Sequence, residues 1–297
     1  MDPRRGAPPP KRSAVPSASA NKRKAVAATK AQPSVSAADK PGRKQRREPA
    51  VPAADIFTVV YCDDDLIVVN KSAGFPVVPS GAFHRRSVLV ALSEQGMGNL
   101  YPISLLDPEA TGLVLLSRSE VAAQALRWNW RSNLCERQYL AVAQGDITGA
   151  RGRITLTIGA VRNGRTTKHQ VLPLELGGRP AVTTWRLLAR GRGLSRLLIT
   201  LHGGRCHQIR IHLAAIGFPI VNDRAYALQS TEVPLSALLD SPQKHHDAST
   251  LPPHQIALHC AHVRVPHPIT NQPMEFTAPV PRILLDLMPG AWVVDAT

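Results

Sequence analysis

The stretch PISLLDPEATGLVLLSRS, residues 102–119, sets one acid, Asp107, between two apolar runs. An ionised carboxylate is expensive to bury unless it is paired, so its place calls for a structural or a chemical use. Asp107-Pro108-Glu109 has the form of a helix start, with Asp as N-cap, Pro at the first helical position and Glu in the first turn. Thr111-Gly112 and a β-type run follow at once, so any such helix is a single turn. The acid then sits in a tight connection between two expected strands, and loops held by rigid elements often carry catalytic groups. A carboxylate held there could act as a nucleophile or as a general base.

The other residues of suitable type are histidines and cysteines. His207 and His212 stand five positions apart on an expected helix, about 500° of rotation. That is not one face, and no third ligand is evident, so no metal is expected. Cys62, Cys135, Cys206 and Cys260 are dispersed, with no C-x-x-C pair. This argues against a zinc ribbon or a disulfide framework and for reduced, buried thiols.

The elements that must position these residues are mostly strands. IFTVVYCDDDLIVVNKSAG reads as two β-runs joined by the acidic turn Asp63-Asp64-Asp65. SVLVALSEQG has helical spacing, YPISLLD and GLVLLSRS read as strands, and SEVAAQALRWNWRSN reads as a helix. In that helix Ser119 is the expected cap, and Val121, Ala125 and Trp128 share a stripe. ERQYLAVAQG, GRITLTIG, AVTTWRLLAR and LSRLLITLHGG are expected strands. CHQIRIHLAAIG changes period: Ile209, Leu213 and Ile216 lie at i, i+4 and i+7, and Gly217 stands where a helix ends. Residues 228–255 are polar and Pro-rich, an expected surface loop holding His245-His246. ALHCAHVRVPH and MEFTAPVP are closing strands, and PRILLDLM a terminal helix. Strands dominate without a βαβ rhythm, which gives an α+β fold around a mixed or antiparallel sheet. There is no internal repeat, G-x-G-x-x-G or Walker A loop.

Charge divides the chain. Its net charge is +15 over 297 residues, and residues 1–50 carry 13 Lys or Arg against 3 Asp or Glu. That segment is rich in Pro, Ala and Ser and has no aromatic residue, so it cannot bury enough surface to fold. A disordered basic arm over residues 1–52 and one domain over 53–297 are expected. The arm reads as a solubility tail, an RNA-attracting segment or an import signal. The overall excess points to a polyanionic partner, nucleic acid being the commonest. No apolar run reaches the ~18 residues that span a bilayer, and no secretion signal opens the chain, so no membrane partner and a cytoplasmic address are expected. A nuclear or organellar address is compatible with the arm.

Five segments, in the same order, resemble the RluA family of pseudouridine synthases. PISLLDPEATGLVLL is similar to its H-R-L-D-x-x-T-S-G-L-L motif, and CDDDLIVVNKSAGFPVVPS to its opening strand pair and N-K-P-A-G turn. ERQYLAVAQG is similar to its R-Y-L-A segment. GGRCHQIRIHLAAIGFPIVNDRAY resembles G-R-T-H-Q-I-R-V-H-L-A-x-I-G-x-P-I-x-G-D-x-x-Y, and LHCAHVRVPHP with MEFTAPVP resembles the closing strands. The likeness spans residues 56–285.

The resemblance implies a mixed, mostly antiparallel sheet flanked by helices and loops. It implies an isomerase that detaches uracil from C1′ of a uridine in structured RNA, ribosomal or transfer, rotates it and rejoins it through C5. No cofactor is implied, and a monomer is expected. Asp107 takes the central role, Arg210 becomes its cationic partner, which favours the ionised acid, and Tyr139 packs on the flipped base. Leu105, Arg205, His207 and Gln208 become substrate-binding residues, with helix-start packing the alternative for His207 and Gln208; Phe83, His84, Arg85 and Arg86 are further candidates for RNA contact.

Three departures stand out. H-R-L-D reads Ser104-Leu105-Leu106-Asp107, so an apolar wedge replaces the arginine that fills the gap left by the flipped base. T-S-G reads Ala110-Thr111-Gly112, with Pro108 after the acid. Cys206 replaces a threonine that could cap the helix. The alternative function is a catalytically weak homologue that binds RNA as an assembly or folding factor. An N-glycoside hydrolase would need a second carboxylate or an activated water, and no partner acid is apparent near Asp107.

Overall fold

The computed structural model describes residues 51–80, 86–132, 134–164, 166–227 and 251–289. Residues 1–50 of the expected arm, most of the Pro-rich loop with His245 and His246, and Phe83, His84 and Arg85 lie outside these residues.

A short helix, α1 (Ala53–Ile56), leads into β1 (Phe57–Cys62), which pairs antiparallel with β2 (Leu66–Lys71). Asp63 shapes the turn between them: its Oδ1 accepts from the Asp65 and Leu66 amides at 2.8 and 2.7 Å. After α2 (Val88–Glu94), capped by Ser87, and the two-residue β3 (Tyr101–Pro102) comes β4 (Thr111–Ser117), buried at every position. Its apolar run is explained by neighbours on both edges, β2 antiparallel and β10 (Leu258–Pro266) parallel. Helix α3 (Glu120–Arg131) starts at Ser119, whose hydroxyl accepts from the Ala122 amide.

The sheet continues through β5 (Glu136–Gln144), β9 (Leu194–His202), β8 (Arg179–Gly191), β6 (Arg151–Asn163) and β7 (Thr166–Val171). Its order is β1-β2-β4-β10-β5-β9-β8-β6-β7; β3 adds to β4, and β11 (Pro273–Thr277) to β10. The β4–β10 pair is parallel and the other described pairs are antiparallel. Helices α4 (Gln208–Ala215) and α5 (Arg282–Leu287) complete the α+β fold. Among the described residues no helix is long and apolar enough to cross a membrane.

Four expectations need correction. YPISLLD pairs as a strand only through Tyr101–Pro102; beyond it the Ser104 hydroxyl, not a backbone carbonyl, accepts from the Leu115 amide. The α3 stripe is Ala122, Ala123 and Leu126, whereas Val121 and Trp128 are exposed. Strand β7, TTKHQV, was not foreseen, because it is polar and mostly exposed and gains its place by pairing with β6. Cys135 and Cys260 are buried, but Cys62 and Cys206 are exposed.

Candidate active site

Asp107 lies in a turn, not at a helix start: the Ala110 amide donates to its carbonyl at 3.1 Å, and β4 begins at the next residue. Every carbonyl of this turn is bonded. Pro108 accepts from the Gly74 amide at 2.8 Å and from Lys71 Nζ at 3.1 Å. Glu109 accepts from the Ile256 amide at 3.0 Å, and Ala110 from Lys71 Nζ at 2.8 Å. Lys71, 1% exposed, also donates to the Ser72 and Phe75 carbonyls. One buried ammonium thus ties the N-K-S-A-G turn to the acid-bearing loop. Burial pushes its pKa down to about 7, while the charges of Asp107 and Glu109 pull the other way.

Gly112 fixes the far side of the loop. It has φ +111°, and a Cβ there would stand 2.2 Å from the Cys260 carbonyl oxygen. Only glycine lets β4 approach β10 this closely. Cys260 in turn pairs with Tyr139 on β5, so the loop and Tyr139 are set by one run of backbone register.

Helix α4 delivers the cation. It ends in a Schellman motif: the Phe218 amide donates to Leu213 O, the Gly217 amide to Ala214 O, and Gly217 has φ +85°. Its N-cap is His207, with φ +54° and no side-chain cap. Cys206 therefore does not occupy the capping position that the resemblance implied. Gln208 seats the helix start instead. Its carboxamide nitrogen donates to Val182 O at 2.9 Å and Thr183 Oγ1 at 3.1 Å, and its oxygen accepts from the Arg205 amide at 3.0 Å.

Arg210 is 4% exposed and gathers three carboxylates. Nε and Nη2 hold Asp223 at 2.7 and 2.8 Å, Nη1 meets Asp107 Oδ2 at 3.0 Å, and Glu109 Oε2 lies 3.6 Å from Nη1. Burial works against its charge but is outweighed by the bonds to Asp223 and the charge of Asp107, so its pKa stands above its ordinary value. The expectation of no second acid near Asp107 is thereby corrected. Glu109 and Asp223 meet the same guanidinium as Asp107, Asp223 in bidentate form.

His207 Nε2 lies 3.5 Å from Asp107 Oδ1, and its Nδ1 lies 2.7 Å from Tyr226 Oη. Burial lowers its pKa, with Asp107 acting in opposition. Tyr139 is 9% exposed. Burial and the neighbouring Cys260 hold its phenol well above the usual range, and Asp107 adds to the effect.

Of the residues singled out from sequence, Asp107, Arg210 and His207 meet directly, and Tyr139 stands within their field. Leu105, 69% exposed, projects from the same loop two residues before the acid. Arg205 is exposed, its Nε donating to Pro180 O at 3.3 Å. Gln208, expected to bind substrate, is 2% exposed and engaged inside the protein at both ends of its amide. His212 is buried, and neither ring nitrogen has a hydrogen-bond partner among the described residues; burial holds its pKa at about 4.

Sequence reasoning missed Lys71, Glu109, Asp223 and Tyr226 as members of the site. Lys71, Asp223 and Tyr226 lie in the quoted N-K-S-A-G and N-D-R-A-Y segments, where charge between apolar runs was the available signal.

Comparison with known proteins gives the family. A family described as RNA pseudouridylate synthase matches residues 65–215. The ribosomal large subunit pseudouridine synthase D of Vibrio vulnificus is 32% identical over 243 residues, 79% of this chain and 71% of that one. An RNA pseudouridine synthase of Synechocystis is 30% identical over 231 residues, 75% of this chain and 65% of that one. The solved structure titled Human RNA Pseudouridylate Synthase Domain Containing 1 shares the fold, with a TM-score of 0.58 and 23% identity over 79% of this chain and 86% of that one. The chain belongs to the RNA pseudouridylate synthase family, within its RluA group. It is an RNA-modifying isomerase.

Proposed function

We propose that this enzyme converts uridine to pseudouridine in ribosomal RNA, with Asp107 as the acting carboxylate. The ribosomal substrate is supported by the names of its relatives, among them the synthase D proteins of Vibrio vulnificus and Pasteurella multocida. The observation that carries the assignment of Asp107 is its 3.0 Å contact with Arg210 in a turn whose four carbonyls are all bonded. A carboxylate so held is pre-organised beside a cation and needs no rearrangement to act.

In the reaction the N1–C1′ bond breaks, the C5–C1′ bond forms, C5 loses a proton and N1 gains one. The redox state is unchanged, so no cofactor is needed. Asp107 serves as nucleophile on C1′ or as base toward a sugar proton, and either role uses the ionised form. Tyr139 packs on the turned-out base, Leu105 wedges into the vacated stack, and Arg205 and His207 approach the RNA near its backbone. The enzyme works as a monomer in the cytoplasm, with the basic N-terminal segment adding non-specific RNA attraction.

The test uses ribosomal RNA tritiated at uracil C5. Wild type releases tritium, while Asp107→Asn binds the same RNA and releases none. Release equal to that of Asp107→Asn would overturn the assignment and leave an RNA-binding assembly factor.

A further inference from the structure

We infer that a thiophilic divalent cation of the Zn2+ class binds between His169, Cys206 and His207, takes Asp107 as its fourth ligand, and thereby switches the active site off. Ligand atoms of His169, Cys206 and His207 all lie within 4.8 Å of one another. Two histidines and a cysteine are a zinc donor set, and a carboxylate completes a tetrahedron. With Zn–N near 2.0 Å and Zn–S near 2.3 Å, ligand edges are about 3.3–3.7 Å. The cluster must therefore close by about 1 Å, which the exposed Cys206 side chain can supply by rotation.

The hydrogen bonds prepare His207 for this role. The Tyr226 hydroxyl donates its one hydrogen to the His169 carbonyl at 3.1 Å. Its contact with His207 Nδ1 at 2.7 Å must then be accepted from an Nδ1–H. Neutral His207 accordingly carries its lone pair on Nε2. That lone pair faces Asp107 Oδ1 at 3.5 Å, two acceptors opposed with no donor between them. A cation placed there satisfies both. A ligating histidine oriented through its second nitrogen is the usual support of a metal site, and the same hydroxyl anchors the strand that bears His169. The His169 and His207 rings stand edge to face, 5.9 Å between centroids.

Binding replaces metal-bound waters by two imidazole nitrogens, a thiolate and a carboxylate oxygen; the thiol proton passes to solvent. Asp107 is then neutralised and covered. This inhibition rests on Asp107 being the acting carboxylate, whereas the binding itself does not.

The test combines a direct and a functional readout on the full chain. Co2+ is added as a spectroscopic probe, and Zn2+ is titrated in competition with a metallochromic dye. One ion per chain is expected, with a thiolate-to-cobalt charge-transfer band, and Cys206→Thr and His169→Ala should each weaken binding at least about tenfold. Both variants keep basal tritium release but lose inhibition by Zn2+, which a chelator reverses in wild type. Equal affinity in wild type and Cys206→Thr, or no binding at micromolar metal, overturns the site. Binding without loss of turnover overturns the switch. A wild type that binds the metal yet never releases tritium supports the site while overturning the role given to Asp107.

Discussion

Lys71 Nζ lies 2.8 Å from the carbonyl oxygen of Ala110, so a buried ammonium from the end of β2 grips the far end of the Asp107 turn. The same nitrogen reaches Pro108 O. The charge is expensive where it stands, and burial has pushed its pKa down to about 7 from 10.5. Its use is geometric: it fixes two of the four carbonyls of the turn, those of Pro108 and Ala110.

Lys71 therefore leaves a mark on stability against pH. Between about 7 and 10.5 the unfolded chain binds a proton that the folded chain has released, so this residue makes stability rise with pH. The effect is present only in that window; below it both states are protonated, and above it neither is. Cys135, Cys260 and Tyr139, whose pKa values are raised, act in the opposite sense at higher pH, so the comparison must be differential. Urea midpoints of wild type and Lys71→Met at pH 7 and pH 9 should diverge by roughly 1 kcal/mol per pH unit in favour of wild type. Parallel midpoints would place the Lys71 pKa outside the window. Turnover by Lys71→Met should fall, because the loop loses both anchors.

Arg210 separates structure from catalysis. Removing the guanidinium leaves Asp223, which has no exposed side-chain surface, as an unpaired buried charge. Arg210→Met should lose about 3–5 kcal/mol by denaturant unfolding. Adding Asp223→Leu should recover most of that loss, since replacing both partners by apolar groups is often neutral. Tritium release should stay absent in the double variant, because Asp107 still lacks its cation. Recovered turnover would show that Arg210 matters only to the fold.

Gly112→Ala tests the register that joins the loop to Tyr139. The new Cβ would meet the backbone of Cys260 at 2.2–2.8 Å, and neither strand can retreat, since each is paired on both edges. A loss of roughly 3 kcal/mol or more is expected, the sum of crowding and a left-handed backbone. Gly96→Ala is the control: it has φ +79° but nothing within 4 Å of the added methyl, and should lose only about 1 kcal/mol. Equal losses would mean that backbone conformation alone decides both.

What was legible in the sequence was what short range determines. The Asp63 turn, the Ser119 cap and Gly217 at the end of α4 are local, and each appears where its residue types place it. Asp107 and Arg210 were paired on family likeness, and their 3.0 Å contact spans 103 residues. The partners that complete the site were harder to see. Lys71 reads as the end of a strand, and its use depends on carbonyls 37 and 39 residues away. Asp223 sits in a loop whose role emerges only when α4 folds against it. His169 was invisible because its strand is polar and exists by pairing with β6. For Gln208 the sequence leaves helix-start packing and RNA contact both open, and its burial and amide bonds favour the first.

Leu105 stands where the family pattern has arginine, and its 69% exposure separates its role from stability. Leu105→Ser should leave the urea midpoint within about 0.5 kcal/mol of wild type. Extruding a base from structured RNA costs a few kcal/mol, and an inserted apolar side chain offsets part of it. The variant should therefore lose about tenfold in kcat/KM on a folded RNA fragment and less than about threefold on an unstructured oligonucleotide, whose base is already unstacked. Leu105→Arg should tighten RNA binding and steepen its dependence on log salt by about one, as one added phosphate contact requires. Equal losses by Leu105→Ser on both RNAs would assign the side chain to the chemical step, and no loss on either would leave it a bystander at the mouth of the site.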